Sequence, residues 1–402
     1  MSGASPVGGT KGSDVAVEIL KLARLVRTDP GELGYLAQVA PHDIRDLREQ
    51  ITVAMFDADS QLLQRVAAAT KVVPSKLAAV MGERAFGPLL CARITGLLEP
   101  SRAVDIASRL PTDFLADLAI ELDPRRASRV IAEIPPPQMA EITRELAERE
   151  EYIAMGGFVG HLPEAALRAA LDAIDDETLL RTAYVIEAKG NLGALVALLP
   201  PERLETIIRT AADRDLWLEA LDVLGHVSER QRGRLGDLAA AQDDVVLDSM
   251  VGTAHRDGLW ADVLPVTRAM SPDSRARFAA LTSIQTRPVL ASIVDAACRQ
   301  ALWPELLVLL PELPAPARGL LAELGAEFDR SVLEQVIGAA HEHGLWAPLV
   351  TFVVELDDAT QLEIAEIATA DDRVRDGLLA AVAAEGLAAQ VTASSLWGAM
   401  TR

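Results

Sequence analysis

The chain has only two cysteines in 402 residues. They cannot make a disulfide framework, and no C-x-x-C pair is present to start a thiolate zinc site. Free Cys91 and Cys298 fit a reducing compartment. Basic residues are also scarce, with 38 Lys and Arg against 59 Asp and Glu, a formal charge of −21. That excludes a phosphate-neutralising nucleic-acid surface and disfavours docking on anionic lipid. Long apolar runs are absent. Stretches such as Ala194–Leu199 fall far below the ~18–20 residues needed to span a bilayer. The segment from Met1 to Ser13 is Gly, Ser and Ala with one Lys, and no apolar core follows it, so it does not read as a signal peptide. Residues 1–14 read as a flexible tail, and the chain as a soluble cytoplasmic protein. No strand-like alternation of apolar and polar residues stands out.

Apolar residues make up 50% of the chain, enough for a large core. They are arranged in two internal repeats. The first has a period of 12: Leu98, Leu110, Leu122, Ile134 and Leu146 share one column, and Ala103, Leu115, Ala127 and Met139 another. Within a block, Ala103, Ile106, Ala107 and Leu110 stand at i, i+3, i+4, i+7, one face of a helix. Pro100, Pro111, Pro124 and Pro136 open the blocks, where proline presets φ and stops the preceding helix. Each block therefore predicts a helix of two to three turns and a tight turn. The frame resumes at Leu162 after a four-residue insertion around Gly156-Gly157, read as an interruption that bends the stack.

The second repeat has a period of 43, flagged by Leu216-Trp217, Leu259-Trp260, Leu302-Trp303 and Leu345-Trp346. Leu235, Phe278, Leu321 and Ile364 share a column, as do Ser228, Ser271, Pro314 and Asp357. The Ser and Asp entries suit helix N-caps, with Ser228-Glu229-Arg230-Gln231 a capping box. Gly258 and Gly344 suit left-handed helix ends. Three helices per repeat match a HEAT or armadillo array. Glu385-Gly386-Leu387-Ala388 stands in a degenerate last copy, and Trp397 lies off the frame. The expected organisation is an all-α solenoid. It has a helical region over 15–94, short-helix repeats over 95–210, and 43-residue repeats over 211–402 with a degenerate cap.

Glu99-Pro100-Ser101-Arg102-Ala103, Asp123-Pro124-Arg125-Arg126-Ala127 and Leu198-Leu199-Pro200-Pro201-Glu202-Arg203 carry a resemblance. Over residues 95–210 the chain resembles the cytoplasmic N-terminal superhelical domain of MgtE-type magnesium transporters. The resemblance implies a superhelical regulatory or docking module that responds to divalent cations. No metal ligand carries over residue by residue.

Motifs for chemistry are few. His255, Cys298 and His341 share a repeat column, but equivalent helices stack roughly 8–10 Å apart, too far for one zinc with ligands at about 2.0–2.3 Å. They read as packing or helix-end residues. His341 and His343, at i and i+2, lie on different helix faces; His161 and His226 have no partner in the sequence. Gly156-Gly157-Phe158-Val159-Gly160 lacks the strand and the Lys of a phosphate loop. The Trp column reads as inter-helix packing rather than a stacking platform. The acidic groups Asp172-Asp175-Asp176-Glu177, Asp357-Asp358 and Asp371-Asp372 read as helix starts, with a hard cation as the competing use.

These features point to a non-catalytic helical-repeat scaffold that binds a protein partner with a basic surface, without nucleic acid or membrane insertion. A Mg²⁺-responsive regulatory subunit is the alternative the resemblance implies. An enzyme on a helical-repeat frame is the second alternative, with no motif behind it. No catalytic, cofactor-binding or metal-ligating residue is assigned, and no cofactor beyond Mg²⁺ in the first alternative.

Overall fold

The computed structural model describes residues 9–57 and 60–384, and every regular element among them is helical. Two compact units result, one of residues 11–226 and the other, among the described residues, of 9–10 and 227–384. No helix among the described residues is long and apolar enough to cross a membrane.

The first unit begins with α1 (Gly9–Val26), a 3₁₀ segment Pro30–Gln38 and α2 (Pro41–Asp57). Their apolar cluster is drawn from their own residues: Ile19, Leu22 and Ile44, flanked by Leu33, Leu36 and Val39. The stack of short helices follows: α3 (Ser60–Thr70), α4 (Ser75–Met81), α5 (Gly87–Thr95), α6 (Pro100–Ala107), α7 (Thr112–Glu121), α8 (Ser128–Ile131), α9 (Pro136–Glu148), α10 (Tyr152–Phe158), α11 (Glu164–Asp172), α12 (Asp176–Val185), α13 (Leu192–Leu198), α14 (Pro201–Asp213) and α15 (Trp217–Gly225). A helix packs on the one two places ahead, as in α5 on α7, α7 on α9 and α9 on α11. Two files of helices result. The column Ala103, Leu115, Ala127 and Met139 is buried.

Local chemistry explains the turns. Prolines occupy the first helical positions of α6, α9 and α14. The block opened by Pro124 differs from the expected two to three turns: α8 has four residues. The Asp123 carboxylate accepts from Arg125 N at 3.0 Å, so an Asx turn occupies the start of that block. The arginine of the turn motif has a structural task. Arg203 donates to the carbonyls of Leu171 (2.7 Å) and Ile174 (2.9 Å), and Arg102 donates to those of Thr70 (2.9 Å) and Val73. Both clamp the end of a preceding helix, where the last carbonyls lack intrahelical partners. Gly156 stands inside α10, not in a turn. A Cβ there would lie 3.3 Å from the Ile186 backbone, so the glycine permits close approach of α10 to the end of α12.

The second unit contains α16 (Glu229–Ala240), α17 (Asp244–Asp257), α18 (Trp260–Ala269), α19 (Pro272–Ala279), α20 (Arg287–Gln300), α21 (Trp303–Leu309), α22 (Ala315–Gly325), α23 (Arg330–His343), α24 (Trp346–Val353), α25 (Asp358–Ala370) and α26 (Asp372–Ala384). Three helices form each 43-residue period. The capping box at Ser228 is present; Ser271 and Asp357 accept from the backbone N–H of Ser274 and Thr360. The columns Leu235, Phe278, Leu321 and Ile364, and Trp217, Trp260, Trp303 and Trp346, are buried. One further column caps carbonyls five residues back: Arg275 to Met270 (3.2 Å), Arg318 to Leu313 (2.7 Å) and Gln361 to Leu356 (2.8 Å). Left-handed backbone recurs at the same phase, with φ of 53° at Asp215, 72° at Gly258, 56° at Ala301 and 67° at Gly344. Glu385–Ala388 and Trp397 lie outside the described residues, as do residues 1–8 of the expected tail.

Candidate functional site

In the first unit, α1 and α2 face the helical stack across a cleft of about 1300 Å³. Its floor and walls come from α1, α2, α5, α10, the end of α7 with its following turn, and Glu187 after α12. Seven cations line it (Lys21, Arg24, Arg27, Arg48, Arg93, Arg125 and Arg126), with five carboxylates (Glu49, Glu121, Asp123, Glu151 and Glu187). Ion pairs bridge the cleft. Arg24 meets Glu151 at 2.6 Å, Arg27 meets Glu121 at 3.2 Å, and Arg48 meets Glu187 at 2.5 Å. Arg125 reaches both Glu49 (2.8 Å) and Glu187 (3.2 Å).

Behind the wall, the Glu18 side chain is 1% exposed. It lies 3.0 Å from Arg45, 3.3 Å from Arg48 and 3.5 Å from Lys21. A carboxylate this deep is tolerable only because cations surround it. Burial pushes the Lys21 ammonium below its ordinary value, against the pull of Glu18 and Glu187. Burial alone would raise Glu187, but Arg48, Lys21 and Arg125 hold it below the usual carboxylate value. The Arg125 hydrogen bond does the same for Glu49. A second buried pair, Lys189 with Asp222, joins the turn after α12 to α15, and Lys189 also donates to Tyr184 O at 2.6 Å. Asp14 is raised by burial and by the neighbouring Asp222 charge.

Apart from Asp123, Arg125 and Arg126, which belong to a turn motif, none of these residues was singled out from the sequence. A signal existed: Glu18 and Lys21, at i and i+3, interrupt the apolar stretch from Val15 to Ala23. The partners, however, come from distant segments, Arg48 and Glu187 being 139 positions apart, and no local pattern pairs them.

The residues weighed for chemistry are placed as follows. His255 Nδ1 lies 2.9 Å from Ser292 Oγ, which also accepts from Trp260 Nε1 at 2.9 Å. His341 packs beside Trp346, with ring centroids 5.9 Å apart, and Trp303 Nε1 donates to Gln335 at 3.4 Å. The histidine column thus flanks the Trp column, and the indoles of Trp260 and Trp303 each tie their helix to the one two places on, α18 to α20 and α21 to α23. His226 Nδ1 lies 2.8 Å from Asp222 O, and His161 lies in the cleft wall. Asp175 and Asp357 cap α12 and α25, accepting from Thr178 N (2.8 Å) and Thr360 N (2.9 Å). Asp176 pairs with Arg203 at 3.1 Å, and Glu177 with Arg181 at 3.0 Å. Among the described residues, no group of three or more His, Cys, Asp or Glu is placed to hold a metal ion.

The last repeats present a different surface. Residues 300–384 carry 15 acidic side chains and four arginines, a net charge of −11. Glu323, Glu327 and Glu366 are well exposed. Comparison with protein-family models, curated proteins and solved structures returned no match.

Proposed function

We propose that the protein is a non-catalytic helical-repeat scaffold that binds a protein partner bearing a basic surface. The observation that carries this reading is the concentration of acidity on the last repeats. A net −11 over residues 300–384 sets up a field that attracts a cationic surface and steers its approach. The cleft of the first unit supports the non-catalytic part. Its volume of about 1300 Å³ exceeds the ~300–1,000 Å³ of ordinary small-molecule pockets. Arg24, Arg27, Arg48 and Arg125 are engaged by carboxylates, and among the described residues no nucleophile–base couple lines it.

The test is capture from lysate with the full chain, beside a Glu323→Lys, Glu327→Lys, Glu366→Lys variant of unchanged helicity. A partner retained at low salt, released at high salt and lost by the variant is the expected outcome. A partner indifferent to charge reversal, or none at all, refutes the reading. A melting temperature that rises at saturating Mg²⁺ favours cation-responsive regulation instead, because an ion bound only by the folded state must stabilise it.

A further inference from the structure

We propose that the cleft of the first unit is the docking groove for an acidic amphipathic helix of a protein partner. This surface is separate from the acidic last repeats, and the inference does not depend on the partner assigned to them. Two properties of the cleft wall carry it: apolar side chains left open to solvent, and the sign of the charge that faces outward.

Val26 at the end of α1, Val53 on α2 and Leu89 on α5 line the cleft, and they are 44%, 49% and 43% exposed. Ile120 of α7 and Ile153 of α10 line it too and are partly exposed. Five helices thus bring large apolar side chains to one open concavity. Exposed apolar surface rimmed by polar groups marks an interaction site.

Charge selects the partner. The cleft carries seven cations against five carboxylates, +2 within a chain of −21. Exposure sharpens the contrast. The Arg27 side chain is 74% exposed and its partner Glu121 31%; Arg126 is 43% exposed and Asp123 16%. Arg125, at 51%, is more open than Glu49 and Glu187, which pair with it. At these three positions the guanidiniums face solvent more than the carboxylates do. A guanidinium has five N–H donors, so an incoming carboxylate adds to the existing pairs without displacing them.

The walls also select the form of the guest. They are helices, which present side chains and no free strand edge. An extended segment would leave its own N–H and C=O groups without partners there, whereas a helix satisfies them internally. A helix with its side chains fills roughly 120–170 Å³ per residue. The cleft of about 1300 Å³ therefore takes about two to three helical turns.

The chain does not supply this guest itself. Residues 1–8 hold no charged side chain, and residues 385–402 hold only Glu385 and Arg402. The acidic repeats of a second copy are packed helices. Among the described residues from 300 to 384, Leu362 is the single large apolar side chain they expose.

The experiment selects from a displayed library of random peptides, each of roughly four helical turns, on the full-length chain. Affinities of the enriched peptides are then read by fluorescence polarisation. Net acidic peptides with apolar residues at i, i+3, i+4 and i+7 are expected. Arg27→Gln with Arg126→Gln should weaken their binding at least about tenfold, because truncated interface arginines are among the costliest losses. Val53→Asp with Leu89→Asp should do the same. All four side chains are exposed, and an unchanged urea midpoint confirms that each double variant folds. The two pairs probe one groove independently, so a loss of stability in one leaves the other decisive. The Glu323→Lys, Glu327→Lys, Glu366→Lys variant should bind the same peptides unchanged. Absence of enrichment overturns the proposal. So do enriched peptides without net negative charge or with an alternating apolar pattern, and so does an affinity indifferent to both double variants. Basic peptides that the last-repeat variant releases support the scaffold reading and overturn this one.

Discussion

Ala301 occupies a backbone conformation that its repeat equivalents give to glycine. It has φ of 56°, where Gly258 and Gly344 have 72° and 67°. Each terminates its helix by donating its N–H to the carbonyl four residues back, Ala301 to Ala297 as Gly258 to Ala254. An L side chain in this region costs ~1–2 kcal/mol. Against that, glycine loses more freedom on folding, by about 0.4–1 kcal/mol. The balance favours glycine by roughly 0.5–1 kcal/mol. No atom lies within 4 Å of a Cβ built at Gly258 or Gly344, so the difference is conformational and not steric. Ala301→Gly should therefore stabilise, and Gly258→Ala and Gly344→Ala destabilise, each by that amount. At a urea m-value of ~2–3 kcal/mol/M the midpoints move by about 0.2–0.5 M with unchanged slope. The three variants share one repeat phase, so the opposite signs are the test. If Ala301→Gly lowers the midpoint, or either alanine variant raises it, the left-handed terminator is not what decides glycine at this position.

Other outcomes follow from the same contacts. Asp175→Ala and Asp357→Ala each remove an N-cap and should lower stability by about 1 kcal/mol, measured by urea midpoint; unchanged midpoints refute the capping role. Arg203→Met strips two helix-end carbonyls and Asp176 of their donor, at a cost of about 2–3 kcal/mol. Glu18→Gln leaves the cations around it uncompensated and should cost ~3 kcal/mol or more; a neutral result would mean that water reaches the site. Glu187 and Glu49 titrate below the ordinary glutamate value of 4.5 when folded, so their contribution is whole above that value and is lost as pH falls through the lower folded one. Glu187→Gln should flatten the decline in stability below pH 4.5, read from urea midpoints across an acid series; an unchanged decline refutes the pairing.

The repeats were legible because their causes are local. A 12-residue frame with proline at the block starts encodes short amphipathic helices, and α6, α7, α9 and α11 follow it. Where a competing local bond intervened, as with the Asp123 turn before α8, the periodicity overstated the helix. The 43-residue Trp column was readable as packing, and the indole bonds to Ser292 and Gln335 supply the reason it recurs. The Arg275, Arg318 and Gln361 column was equally periodic, but exposed-looking arginines carry no hydrophobic signal.

The sequence by itself determined that the chain is helical and, for most blocks of the two repeats, where a helix starts and which edge is buried, because those follow from side-chain spacing, proline and capping within a few residues. Only the tertiary structure decided that Glu18, Arg48 and Glu187 meet beside a cleft, and that the indoles of Trp260 and Trp303 reach Ser292 and Gln335. Both depend on how closely distant helices approach one another. That distance is set by packing over the whole stack, and no single block of sequence records it.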